Sequence, residues 1–221
     1  MFKNISYIIH RLNNLNDIQS CDKKYGVEFD LRSNNNQIIV QHDYLNQQND
    51  LVIFSDFVEE IKKFAGLKII NLKCEGIEDE VIKIINQHNV KNWAFLDMSM
   101  PYFVKYANKI INRQIINFGY ENLIVRFSDH EPIEYALSFK NKAKFVWIDS
   151  FEKFALNADN FKIFKENNFD IIIVSPELHN KPKEMIDHFI EIILKDQIKP
   201  EAICTKYPQY WQDKLANFDR L

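Results

Sequence analysis

Three short pieces of this chain carry residue types that could do phosphoryl chemistry: His10-Arg11, Glu28-Phe29-Asp30 and His42-Asp43. Glu28 and Asp30 lie two apart in an apolar run, and on a strand such side chains point to the same face. Carboxylates held that close repel unless something positive sits between them. Mg²⁺ or Ca²⁺ suits that place, because both prefer oxygen ligands. His10 and His42 suit general acid and base. One imidazole can take a proton from a nucleophile while the other gives one to a leaving oxygen. Arg11 and, further on, Lys73 can hold non-bridging phosphate oxygens, the first as a bidentate fork and the second as a point charge. Each piece alone has a plainer reading. A strand-end E-x-D is often a pair of solvated carboxylates, and a lone histidine is usually just hydrogen-bonded.

Composition narrows the class. The 221 residues suffice for one large domain or two small ones, and we expect a single domain over 1–221, since no linker or low-complexity stretch divides it. Net charge is −3, which gives no electrostatic case for nucleic acid. Cys21, Cys74 and Cys204 cannot all pair within the chain and match no zinc spacing, so a reducing cytoplasm is the simplest expectation. Cys204 sits in an apolar run and reads as a core residue. No apolar run reaches the length of a membrane span, and because catalytic-looking residues are reached by position 10, no signal peptide is expected.

Two textures alternate along the chain. Apolar, β-branched or aromatic runs at 5–10, 25–31, 67–73, 93–97, 122–126, 144–149, 170–174 and 202–205 read as strands. Between most of them lie amphipathic stretches. The clearest is 181–196, where Met185, Ile186, Phe189, Ile190, Ile193 and Leu194 repeat at helical spacing; 56–64 and 79–88 read the same way, and 161–164 anchors another. Strands alternating with helices predict an α/β fold with a parallel sheet. Eight such repeats fit a compact (β/α)8 TIM barrel, with a doubly wound open sheet as the alternative. No glycine follows the first run, which counts against a dinucleotide fold. The extra run 37–41, after Asn34-Asn35-Asn36, predicts a short hairpin extension of the second strand that returns His42-Asp43.

Polar groups stand at the end of every predicted strand, where a barrel of this kind places its active site. They are His10-Arg11, Glu28 and Asp30, Asn71 and Lys73, Asp97 and Ser99, Arg126 and Ser128, Asp149, Ser175 and Glu177, then Thr205 and Lys206. Charges can simply mark where strands stop, but all eight doing so together favours a common mouth. Arg126 beside Glu131 reads as an anion contact or an ion pair. Trp147 reads as pocket wall more than as a stacking platform for sugar. Asp97 and Asp149 read equally as strand-end caps, and His179 as a loop residue.

His10-Arg11, then Tyr25-Gly26-Val27-Glu28-Phe29-Asp30-Leu31-Arg32, then Ile39-Val40-Gln41-His42-Asp43 resemble the glycerophosphodiester phosphodiesterase family of phosphatidylinositol-phospholipase-C-like barrels. The later segments at 71–73, 95–101, 126–131, 147–152, 174–179 and 204–208 resemble a divergent bacterial branch of it. The resemblance implies a (β/α)8 barrel, a divalent cation on the E-x-D carboxylates, acid and base roles for His10 and His42, and a small glycerol- or sugar-containing phosphodiester as substrate. It departs from the family pattern twice. Asn71 stands where a metal-ligating glutamate is usual; an amide oxygen can ligate a hard cation but brings no charge, so the cation would bind more weakly. Asn13-Asn14-Leu15-Asn16-Asp17 replaces the segment usual after the first strand, which would alter the substrate pocket. Two other readings remain: a barrel that binds a phosphorylated sugar or nucleotide-linked precursor without cleaving it, and an aldolase using Lys73 as a Schiff base.

Overall fold

The runs read as strands form strands. The computed structural model of the chain describes residue 2, residues 4–44 and residues 51–218. Its strands are β1 (Ser6–Ile9), β2 (Gly26–Asn34), β3 (Gln37–Val40), β4 (Lys68–Leu72), β5 (Trp93–Leu96), β6 (Ile124–Phe127), β7 (Phe145–Ile148), β8 (Asp170–Val174) and β9 (Ala202–Thr205). The helices between them are α1 (Leu15–Ser20), α2 (Phe54–Ile61), α3 (Glu78–Gln87), α4 (Met100–Ile111), α5 (Ile133–Leu137), α6 (Ala158–Glu166), α7 (Met185–Lys195) and α8 (Pro208–Phe218). Strand order is β5-β4-β2-β1-β9-β8-β7-β6, with β3 on β2 alone. The winding never reverses, as it must in a doubly wound sheet. The chain is therefore a (β/α)8 barrel with a hairpin extension on its second strand. It divides into two compact units, residues 11–123 and residues 1–10 with 124–221.

In the unit 11–123, β2 is buried over its first six residues. Period-2 alternation splits their side chains. Phe29 lies against Phe54 and Phe57 of α2, with ring centroids 6.0 and 5.2 Å apart, so the odd-numbered face of β2 meets the helix layer. Glu28 and Asp30 occupy the other face. Parallel pairing sets Asp30 opposite Asn71 and Glu28 opposite Ile69, and β5 continues the sheet beyond β4. Truncating a buried ring such as Phe29 to Ala costs about 3–5 kcal/mol, so the apolar side of β2 anchors the strand that carries the carboxylates.

Asparagine does conformational work here that glycine does in most chains. The sequence has only four glycines. Asn35 and Asn36 take φ of 47° and 63° at the β2–β3 turn, as a two-residue type I′ loop requires. Asn89 and Asn168 take φ of 54° and 62° just past α3 and α6, the left-handed position at which helices end. Asn14 and Asn157 cap the starts of α1 and α6, their side chains accepting from the backbone N–H of Asp17 and Asn160 at 2.8 Å each.

In the other unit, β6, β7, β8, β9 and β1 run parallel in that order. Cys204 is fully buried. The indole N–H of the buried Trp211 donates to Ser175 Oγ at 2.8 Å, tying α8 to the end of β8. Among the described residues no helix is long and apolar enough to cross a membrane.

Candidate active site

The carboxyl ends of β2 and β4 gather most of the predicted site residues of the unit 11–123. Glu28 and Asp30 are each only 1 % exposed. The Asn71 amide N–H donates to Glu28 Oε1 at 3.0 Å, and the backbone N–H of Arg11 donates to Glu28 Oε2 at 2.8 Å. Lys73 Nζ lies 3.5 Å from Asp30 Oδ1 and 3.2 Å from Asp97 Oδ2. The Arg11 guanidinium stands 3.9 Å from Asp30 Oδ2. Burial, reinforced by the charge of Asp30, pushes the Glu28 carboxyl up to about 7; the Asn71 and Arg11 donors pull in the other direction.

His42 reaches the same edge through the hairpin. The N–H of Gln41 donates to the carbonyl of Asp30, and Arg32 donates from Nε to the His42 carbonyl at 2.8 Å and from Nη1 to the Lys73 carbonyl at 3.2 Å. Its imidazole Nδ1 is 2.7 Å from Asp43 Oδ1, which fixes the ring orientation and leaves Nε2 for other partners. The His42 imidazole, and beside it Arg11, hold the Asp43 carboxyl below its ordinary range.

Two residues of this edge had no individual role assigned from the sequence. Asn13 clamps Asp30 from both sides: its amide donates to Asp30 Oδ2 at 2.7 Å and its Oδ1 accepts the Asp30 N–H at 2.9 Å. It opens the segment Asn13-Asn14-Leu15-Asn16-Asp17 that follows β1, and its contact with Asp30 spans 17 positions of sequence. Arg32 is the second, a brace between the hairpin and β4.

The remaining site residues belong to the other unit. His10 follows β1, and its N–H donates to the Thr205 carbonyl. Arg126 and Trp147 face one another in register on β6 and β7. Trp147 is 4 % exposed and packs as wall. Arg126 Nε lies 3.0 Å from Asp149 Oδ2, and His179 Nε2 lies 3.0 Å from Asp149 Oδ1. Asp149 thus bridges an arginine and a histidine at the ends of β6 to β8. Glu177 binds at home: Oε1 accepts from Thr205 Oγ1 at 2.6 Å and from the Lys206 N–H at 2.9 Å, and Oε2 accepts from Ser175. That network joins β8 to β9.

Whether the residues fit a divalent cation can be tested on their oxygens. Asp30 Oδ1 and Asn71 Oδ1 are buried and accept no hydrogen bond. Leaving an acceptor such as Asn71 Oδ1 unsatisfied costs about 1–3 kcal/mol, while Asp30 Oδ1 has only the Lys73 ammonium at 3.5 Å. Two carboxylates and an amide make an all-oxygen set that suits Mg²⁺ or Ca²⁺. The residues fit the ion. Asn71 also explains how the site stands without it, since its N–H partly offsets the charge of Glu28. A second group, Asp129, His130 and Glu152, could bring three ligand atoms within 4.8 Å of one another. Its Asp129 oxygens already take the backbone N–H groups of Phe151, Glu152 and Lys153. Burial works against Asp129, but those donors outweigh it and hold its pKa at about 2.

No protein-family model matches the chain, and no curated protein sequence matches it. Solved structures do. A candidate glycerophosphodiester phosphodiesterase from Galdieria sulphuraria is 15% identical, with TM-score 0.66 over 97% of this chain and 99% of that one. A glycerophosphodiester phosphodiesterase from Agrobacterium tumefaciens str. C58 is 10% identical, with TM-score 0.59 over 94% and 98%. A glycerophosphoryl diester phosphodiesterase from Parabacteroides distasonis is 8% identical, with TM-score 0.65 over 98% and 88%. The motif resemblance therefore has its counterpart in three dimensions: the chain shares the barrel fold of the glycerophosphodiester phosphodiesterases along nearly its whole length.

Proposed function

We propose that this protein is a phosphoric diester hydrolase acting on a small glycerol- or sugar-containing phosphodiester. One observation carries the reading: on a fold shared with glycerophosphodiester phosphodiesterases, the buried Glu28, Asp30 and Asn71 stand with Lys73 at the carboxyl edge of β2 and β4. Glu28, Asp30 and Asn71 would hold Mg²⁺ or Ca²⁺, which when bound supplies charge stabilisation for a phosphoryl transition state. Lys73 and Arg11 would hold non-bridging phosphate oxygens, with Lys73 kept in place by Asp30 and Asp97. His10 and His42 are the acid and base. One takes the proton of water or of an internal hydroxyl as its oxygen bonds to phosphorus; the other protonates the alcohol oxygen as its bond to phosphorus breaks. Support for His42 is the Arg32 guanidinium, which donates to the carbonyls of both His42 and Lys73; support for His10 is the order of the motifs. Arg126 and Trp147 are proposed substrate contacts on sequence grounds alone.

Release of the alcohol from a panel of glycerophosphodiesters, with Mg²⁺ or Ca²⁺ present, tests the reading. Converting either histidine to Asn should lower kcat by about 10²–10⁴-fold with the fold intact. Full activity in both variants would overturn the two-histidine mechanism. A non-hydrolytic binding barrel is the second reading, and the Asn71–Glu28 hydrogen bond favours it, because it settles the buried carboxylate without an ion.

A further inference from the structure

Strand β2 sends a third side chain to the face that carries Glu28 and Asp30. Arg32 follows them at period two within the same strand, half-buried, in the unit 11–123. Its level in the strand is where the sheet loosens on both sides. Pairing of β2 with β4 ends at Leu31 opposite Leu72, and the Lys73 N–H then donates to the Leu31 carbonyl at 2.9 Å. Pairing of β2 with β3 ends at Leu31 opposite Val40, and the Gln41 N–H then donates to the Asp30 carbonyl at 2.9 Å. Carbonyls of successive strand residues point to opposite sides, so Lys73 and Gln41 leave β2 on opposite flanks. Past these bonds both segments run as loop.

One guanidinium takes over where the ladder stops. Arg32 Nε donates to the His42 carbonyl at 2.8 Å, and Nη1 donates to the Lys73 carbonyl at 3.2 Å. Both bonds are charge-assisted, hence stronger than the backbone bonds they extend. A planar fork fixes the angle between its donors, which an ammonium does not. The two carbonyls are thereby held at a set separation across β2. The Tyr44 ring centroid lies 5.8 Å from the guanidinium carbon, a cation–π contact on the same returning stretch.

The two ends of this fork are unequally held. Lys73 is also fixed by its ion pairs to Asp30 and Asp97. His42 has the Gln41 bond one residue before it, and its ring has Asp43, which belongs to the same loop and moves with it. Loss of the fork therefore falls on His42. Resting on the phosphodiesterase reading, we propose that Arg32 is a positioning residue for the acid–base step, acting through His42 by holding that imidazole in place against Lys73. Asp43 sets the rotation of the ring, and Arg32 sets where the ring stands. A displacement of about 1 Å at a reacting group costs about a hundredfold in rate.

A double-mutant cycle with Arg32→Met and His42→Asn tests it, on a diester that the natural protein cleaves. Arg32→Met keeps the apolar stem and removes the fork. Alone, it should lower kcat about tenfold to hundredfold and raise KM much less, because Lys73 keeps its ion pairs. Added to His42→Asn, it should lower kcat by less than about threefold, since the residue it positions is gone. Equal losses in the two backgrounds make Arg32 a general brace and overturn the proposal. Arg32→Lys, whose point charge serves one carbonyl at a time, should fall between the natural protein and Arg32→Met; it carries the test if Arg32→Met fails to fold. A second measurement needs no turnover. The His42 ring nitrogens, assigned by the signals lost in His42→Asn, are followed by proton–nitrogen NMR. Arg32→Met should shift them and leave the cation-induced Tm shift unchanged. Ring signals that stay put overturn the proposal. Ring signals that move while Arg32→Met keeps full kcat also overturn it and leave the hydrolase standing. Ring signals that move with no diester cleaved by the natural protein support the tie between Arg32 and His42 and refute the hydrolase.

Discussion

Asn71→Glu adds a third carboxylate beside Glu28 and Asp30 and should trade intrinsic stability for cation dependence. The new carboxyl, one methylene longer than the Asn71 amide that now stands 3.0 Å from Glu28 Oε1, would enter the same buried group. Glu28 is already pushed up to about 7 by burial and by Asp30. Three buried carboxyls cannot all ionise, so the added one stays protonated near neutral pH without a cation. Holding a group of ordinary pKa about 4.3 neutral near pH 7 costs about 3.7 kcal/mol, at about 1.4 kcal/mol per unit. For a chain of this size that lowers Tm by about 7–15 °C. The assay is thermal melting in EDTA and then in excess Mg²⁺ or Ca²⁺. A cation at about 100 times its Kd returns about 2.7 kcal/mol, so the variant should regain most of its loss and show a larger cation shift than the natural protein. A variant that melts like the natural protein in EDTA, and responds to cation no more than it does, would refute the placement of Asn71 in a cation site.

Four further outcomes follow from the geometry. Lys73→Met takes the ammonium away from Asp30 and Asp97 and should destabilise the fold by about 3 kcal/mol in denaturant titration, as removal of one partner of a largely buried pair does. Asn13→Ala removes two hydrogen bonds from Asp30, one of them charge-assisted, and should cost about 2–3 kcal/mol in the same titration and weaken the cation-induced Tm shift. Glu177→Ala breaks the bonds to Ser175, Thr205 and Lys206 and should lower stability by about 2–4 kcal/mol while leaving KM unchanged; a raised KM at full stability would make Glu177 a substrate contact. The Asp129 carboxylate is depressed in the fold, so its contribution is present above the usual carboxylate pKa and disappears as pH falls towards about 2. Amides of residues 151–153 should then exchange faster in acid, and unchanged protection at about pH 2 would contradict their tie to Asp129.

The fold was readable because its signals are local and repeated. The runs at 170–174 and 202–205 match β8 and β9 to the residue, and the Asn-rich turn before residue 37 marked the hairpin. Periodicity placed α7 and α3 within a few residues of their ends. Short helices escaped it: α1 and α5 have six and five residues, too few to establish a period, and α4 opens with Pro101 among exposed apolar residues that blur its face. The site was readable where spacing alone decides it, as for Glu28 and Asp30 on one strand. Asn13, Arg32 and the Asp149–His179 pair were not, because each works through a partner 10 to 41 positions away. The asparagines at left-handed positions carried structural meaning that composition alone could not show.

The central claim is that the buried Glu28, Asp30 and Asn71 group serves phosphodiester cleavage. Phosphorus-31 NMR of a glycerophosphodiester mixture, incubated with the protein and Mg²⁺ or Ca²⁺, tests it most directly, since diester, cyclic ester and monoester resonate apart. The account predicts conversion of a diester to a monoester, directly or through a cyclic ester, that stops with EDTA and in Asp30→Asn. Diester signals unchanged at stoichiometric protein, or cleavage that persists undiminished in Asp30→Asn, would contradict it.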